Sequence, residues 1–141
     1  MSNADLLRAG YDAWNRGDLD AWLELLDPDI VIRTSGAFPD FAPEYRGLGG
    51  AKRFWGQMLE PWEEFRIKVE QMEEEGDLAA AGIRFVARGR DSGVDVELRF
   101  GSGIRVEDGL AVELVNRRSF EEVREALRES QRTAHGSHVA R

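Results

Sequence analysis

The chain contains no cysteine, and its two histidines, His135 and His138, both stand in the closing stretch QRTAHGSHVAR. Without cysteine there is no disulfide framework, thiol nucleophile or thiolate metal site, and a reducing compartment is permitted. With histidine confined to the closing stretch, a histidine base is missing from the rest of the chain. No conventional zinc site can be assembled without that stretch, so no metal is expected. Long apolar runs are lacking too, and none could span a bilayer. The opening residues MSNADLLRAGYDAW carry Asp5 and have no uninterrupted apolar core of a secretory signal. A cytoplasmic location without a membrane partner is the expectation. No Gly-x-Gly-x-x-Gly follows a strand and there is no P-loop, so nucleotides have no visible seat and no cofactor is expected. Positive charge is in deficit: 19 Lys and Arg against 27 Asp and Glu leave a net −8. Phosphate binding needs a basic face, so nucleic acid is disfavoured. The arginines of RFVARGR are read as a solvated strand face.

What is present fits one globular domain. A length of 141 residues, 42% of them hydrophobic and 33% charged, suits a chain that buries roughly two-thirds of its unfolded surface. We expect residues 1–130 to form the domain and 131–141 a disordered polar tail.

Ala4, Leu7, Tyr11 and Trp14 recur at helical spacing, and Gly17 offers a left-handed C-terminal cap. Asp18 is placed to cap a second helix whose apolar stripe is Leu19, Trp22, Leu23 and Leu26. Asp27-Pro28 stops it. Asp29 to Thr34 alternates and is β-branched, which predicts a strand. Ser35 to Gly47, with Pro39 and Pro43, reads as a long loop. Ala51, Phe54, Trp55, Met58 and Leu59 restore the helical spacing up to Pro61. The period then changes to two. Phe65 to Val69, Leu78 to Arg90, Val94 to Phe100 and Leu110 to Arg118 are predicted strands. Gly76-Asp77, Asp91-Ser92-Gly93 and Asp108-Gly109 supply the turns. Gly101-Ser102-Gly103 interrupts the third of these strands, as a bulge or a close backbone approach. Glu121 to Glu129 is expected as a short terminal helix. Helices first and antiparallel strands afterwards argue an α+β domain with helices on one face of a bent sheet.

In this order, AWNRGDLDAWLELLDPDIVI, YRGLGGAKRFW, SGVDVELRF and RVEDGLAVELV resemble the SnoaL-like branch of the nuclear-transport-factor-2-like superfamily over about residues 4–127. The resemblance implies a cone, with three N-terminal helices packed on a strongly curved, mostly antiparallel sheet. It implies an apolar pocket between them, and frequent homodimers through the outer sheet face. That face would present Asp95, Glu97, Arg99 and Glu113, either solvated or against a second copy. The superfamily hosts isomerases, cyclases, hydratases, epoxide hydrolases and silent binding modules, so fold alone names no reaction.

Ketosteroid isomerisation needs a carboxylate base and an oxyanion hole of tyrosine plus a protonated aspartic acid. On the resemblance, Thr34 occupies the base position and Ser102 the acid position. The tyrosine position falls nearest Gly10, with Tyr11 about one residue away. Threonine accepts no proton at neutral pH, so that mechanism is rejected. Epoxide hydrolysis would use an arginine between carboxylates, but Glu97 and Arg99 share the face opposite Leu98 and Phe100. Asp40 and Glu44 could act as acid or base only by swinging in from the loop.

The alternation leaves a set of candidate binding residues. Thr34 continues Ile30 and Ile32; Ser102 continues Leu98 and Phe100; Asn116 continues Val112 and Leu114. Small polar groups at the ends of apolar strand faces could hydrogen-bond a carbonyl or hydroxyl. Their alternative is pairing with backbone or water at the rim. Tyr11 and Trp55 are candidate aromatic walls, and Tyr45 a lid or hydroxyl donor. Arg84 would seek an anion on the concave face and be merely solvated on the convex one, which the alternation of Ile83, Phe85 and Ala87 favours. The expectation is a small-molecule domain for an apolar oxygenated compound. Its reaction would be cofactor-free acid–base work of isomerase, cyclase or lyase type. The alternative is a non-catalytic ligand-binding or dimerisation module.

Overall fold

The computed structural model describes residues 1–34, 38 and 40–139, with 135–139 described by backbone alone. Ser35 and Pro39 of the expected loop, and the histidine side chains of the tail, lie outside the described residues. Among the described residues four helices and six strands follow one another as α1 (Asn3–Arg16), α2 (Leu19–Leu23), β1 (Leu26–Arg33), β2 (Glu44–Arg46), α3 (Gly47–Leu59), β3 (Trp62–Glu75), β4 (Leu78–Gly89), β5 (Asp95–Glu107), β6 (Leu110–Arg117) and α4 (Phe120–Val139).

The local signals act where expected. Ser2 and Asp5 form a reciprocal capping box at the start of α1, and Gly17 closes it at φ 69°. Asp18 accepts the Ala21 N–H at 3.0 Å and opens α2. Asp108 and Gly109 both take positive φ, 51° and 80°, as a two-residue hairpin requires. Leu26 is a correction. It does not complete the α2 stripe but begins β1, pairing with Ala111. Pro28 falls where the β1–β6 register shifts, and the β1–β2 pairing covers only Val31 to Arg33. Its missing N–H therefore interrupts the ladder at little cost.

The sheet runs β2-β1-β6-β5-β4-β3, with β1–β6 parallel and every other pair antiparallel. It is curved, and α1, α2 and α3 lie over its inner face. There they bury the larger core, including Leu7, Trp14, Trp22, Ile30, Ile32, Phe54 and Ile83. β3 is one edge of the sheet, and α1 blunts it: the Asn15 side chain donates to Ile67 O at 3.0 Å and accepts from Ile67 N–H at 2.8 Å.

The terminal helix departs from expectation in length and place. It runs to Val139 and packs on the outer face, against β4, β5 and β6. Val115, Phe120, Val123 and Leu127 form a second small core beneath it with Leu78 and Ala80. Gly101 and Gly103 make room for this. No bulge interrupts β5 there: Gly101, Ser102 and Gly103 pair in unbroken register with Arg117, Asn116 and Val115. A Cβ on Gly103 would stand 2.6 Å from Leu127 Cδ1 and 2.8 Å from Ala79 O, and one on Gly101 would overlap the Ser119 carbonyl. Glu113 is consequently not part of a solvated face. It is buried, accepts the Ser130 hydroxyl of α4 at 2.6 Å, and lies 3.9 Å from Arg33.

Candidate functional site

The inner face of the sheet and the three N-terminal helices do not close completely on each other. Helix α1 contributes Leu7, Gly10, Tyr11 and Trp14 to the gap, because spacings of three and four keep those residues on its sheet-facing side. Alternation on the strands contributes Ile83 and Phe85 from β4, Phe100, Ser102 and Ile104 from β5, and Leu114 and Asn116 from β6. Trp22, Phe38, Phe54 and Met58 complete the wall. The volume open to the centre of a water-sized sphere is about 60 Å³. The wider recess, counted with the solvent in its opening, is about 640 Å³.

Polarity in this cavity is sparse and sits on adjoining groups. Ser102 and Asn116 are direct neighbours across the β5–β6 pair, and each is buried. Tyr11 reaches the same region from α1. Its hydroxyl is buried and has no hydrogen-bond partner. Burial drives the phenol pKa well above the ordinary tyrosine value, and the Ser102 hydroxyl offsets only part of that rise. The two hydroxyls are neighbours without reaching hydrogen-bond geometry. Tyr11 is thus a neutral donor facing the cavity. Gly10 and Tyr11 both border the cavity.

The other candidates go elsewhere. Thr34 is buried, but its hydroxyl donates to Ala42 O at 2.5 Å while its N–H donates to Pro43 O at 3.1 Å. The Tyr45 hydroxyl accepts Ala42 N–H at 3.2 Å and donates to Gln57 Oε1. Together they hold the Ala42 peptide from both sides, and so anchor the stretch leading to Phe38 and Phe41. Neither borders the cavity. Trp55 packs, tilted, against Trp14 at 4.1 Å and Trp22 at 5.4 Å, ring centre to ring centre, inside the aromatic core, while its neighbour Phe54 faces the cavity. Arg84 stands on the outer face, 3.1 Å from Glu97 and 3.8 Å from Glu70. Phe38 and Met58 went unremarked as wall residues in the sequence; Met58 shares the helical spacing of Phe54 and was open to that reading.

No aspartate, glutamate, lysine, arginine or histidine is among the residues lining the cavity. No group of three or more metal-ligating side chains occurs among the described residues. No helix among them is long and apolar enough to cross a membrane.

A family model described as a SnoaL-like domain matches residues 7–114. The chain belongs to this SnoaL-like family. No curated relative matches it. Among solved structures it is similar to an NTF2-like protein of unknown function from Burkholderia pseudomallei, with 24% identity, 87% of this chain and 95% of that one covered, and a TM-score of 0.74. TerC, co-crystallised with polyporic acid, matches at 18% identity, with the same 87% and 95% coverage and the same TM-score of 0.74. A Catenulispora acidiphila protein with a ketosteroid isomerase-like fold, in complex with trimethylamine, matches at 10% identity over 84% and 88%, with a TM-score of 0.72. At these identities the likeness is one of fold. The SnoaL-like domain places Tyr11, Ser102 and Asn116 within the matched span or just beyond it.

Proposed function

We propose that this SnoaL-like domain binds an apolar, oxygenated small molecule in the cone, with the oxygen at the Tyr11, Ser102 and Asn116 end. The observation that carries the reading is the buried Tyr11 hydroxyl, unpartnered in an otherwise apolar cavity. A buried polar group without a partner costs free energy, and a ligand acceptor would recover it. That two proteins of like fold were crystallised with polyporic acid and with trimethylamine supports a ligand-holding cone.

Chemistry in such a cavity would be cofactor-free. Tyr11 and Ser102 can polarise a carbonyl oxygen, which is half of isomerase-, cyclase- or lyase-type acid–base work. The proton acceptor would have to arrive with the ligand or as water, because no carboxylate lines the space. That observation favours the second reading, a ligand-binding module without turnover. Calorimetric titration with a panel of apolar carbonyl compounds tests the shared part of both readings. Saturable binding that weakens in Tyr11→Phe supports it; no binding by any member refutes it.

The homodimer belongs to the same proposal. Helix α4 covers the outer face over Gly101 and Gly103, so self-association is left the outer face of β3–β5. There Arg88 pairs with Glu64 at 3.2 Å and Arg99 with Glu70 at 3.1 Å. Alternating charges of this kind are self-complementary about a two-fold axis. A light-scattering mass twice that of the chain supports it, and a concentration-independent monomer refutes it.

A further inference from the structure

The cavity's size and lining narrow the ligand further, given the binding role proposed above. The free volume of about 60 Å³ is several times the roughly 10–15 Å³ that one water needs for its centre. It therefore has space for a few waters and is smaller than the roughly 150 Å³ apolar cavity that holds a benzene ring, so a single ring is the upper limit. A multi-ring compound asks for a pocket of roughly 300 Å³ or more. The 640 Å³ recess includes open solvent and is not a measure of enclosed space. Those walls are tightly made: Trp14 lies 5.1 Å from Trp22 and 5.9 Å from Phe54, ring centre to ring centre. A larger ligand would have to break these aromatic contacts.

Charge is selected as sharply as size. Among the described residues no ionisable side chain except Tyr11 lines the space, so a carboxylate or ammonium on the ligand would be buried without a counter-ion. A purely hydrocarbon ligand would leave the Tyr11 hydroxyl as it is now, buried and unsatisfied. An acceptor oxygen would satisfy it, with Ser102 and Asn116 on adjacent strand positions to share the contact.

We infer that the cavity selects a neutral molecule no larger than one ring that carries one acceptor oxygen, held by the Tyr11 hydroxyl. Burial keeps that hydroxyl protonated, so it donates rather than accepts a second charge.

Four probes test this by titration calorimetry on the full chain: toluene, acetophenone, benzoate and a four-ring steroid ketone. Acetophenone is expected to bind about tenfold or more tighter than toluene, the ratio a single satisfied buried hydrogen bond supplies. Benzoate, of similar size but charged, and the steroid ketone are expected to bind at least tenfold more weakly than acetophenone, if at all. In Tyr11→Phe, toluene should keep its affinity while the acetophenone preference falls to about threefold or less. Ser102→Ala, which leaves α1 untouched, should reduce the preference by a smaller factor. Retained toluene binding shows that the Tyr11 variant is folded. An acetophenone preference unchanged in Tyr11→Phe would overturn the inference, as would benzoate or the steroid matching acetophenone. In those outcomes the cavity still binds and only the ligand class is wrong. If no probe binds, the binding role itself is wrong.

Discussion

Among single residues, Tyr11 matters most, because its hydroxyl has the least reason to be there on grounds of stability. It is buried and unpartnered, and removing it should relieve a desolvation cost. We expect Tyr11→Phe to stabilise the ligand-free protein by about 1 kcal/mol, within the range for an unsatisfied buried polar group. Urea unfolding measures this, and a loss of stability would mean that the hydroxyl has a partner in solution. The same residue scale shows what the sequence could reveal. Ser102 and Asn116 were readable, because strand alternation places each on the face of its apolar neighbours. Thr34 obeys the same alternation, yet its hydroxyl is taken by Ala42 O across a loop, and no periodicity reports such a contact. Choosing between Phe54 and Trp55 needed the helix rotation to within one residue, since both are buried. Tyr11 lies on the sheet-facing side of α1 that its spacing from Leu7 and Trp14 predicts, and it borders the cavity.

Secondary-structure elements were mostly written in the sequence through periodicity, caps and turn residues. Two were not. β2 has only three residues, too few for alternation to register. Helix α4 was expected to be short, and nothing in its own spacing says that it docks on the outer face. The sign was in β5, where Gly101 and Gly103 leave that face without side chains. Two predictions follow from this seat. Gly101→Ala should cost more stability than Gly103→Ala, because the first overlaps the Ser119 backbone more deeply, whereas the second meets the movable end of Leu127 at 2.6 Å and the Ala79 carbonyl at 2.8 Å. Overpacking of this kind costs about 1–3 kcal/mol, which urea midpoints would resolve. The docking should also weaken in acid. Arg128 of α4 donates to Glu75 of β3 at 2.8 Å. That hydrogen bond, and then the Arg128 charge, hold the Glu75 pKa below the ordinary glutamate value. A carboxylate with a lowered folded pKa stabilises fully above its unfolded pKa and loses that contribution as pH falls through the folded one. Amide exchange in α4 should therefore accelerate below about pH 4.5 before exchange in β4 and β5 does. Simultaneous loss across all three would contradict a separately docked helix.

For the molecule as a whole, the SnoaL-like fold was the most accessible conclusion and the reaction the least. The order of elements and their apolar faces determine a sheet with helices over it, because each face must be buried against another layer. A reaction depends instead on which few polar atoms reach the cavity, and that depends on loop contacts and helix rotation. Two cores sandwich one sheet, so the outer face is divided: α4 covers one part and exposed ion pairs occupy the other. Ion pairs such as Arg88–Asp95 are exposed and contribute little to stability individually. Within the cavity, the Tyr11 hydroxyl is the buried group without a hydrogen-bond partner. The most direct test is a titration of acetophenone into isotope-labelled protein, followed by amide chemical shifts. Saturable shifts centred on Tyr11, Ser102 and Asn116, with Arg84 and its outer-face neighbours unmoved, are the predicted result. No saturable shift, or shifts confined to the outer face around Arg84, would contradict it.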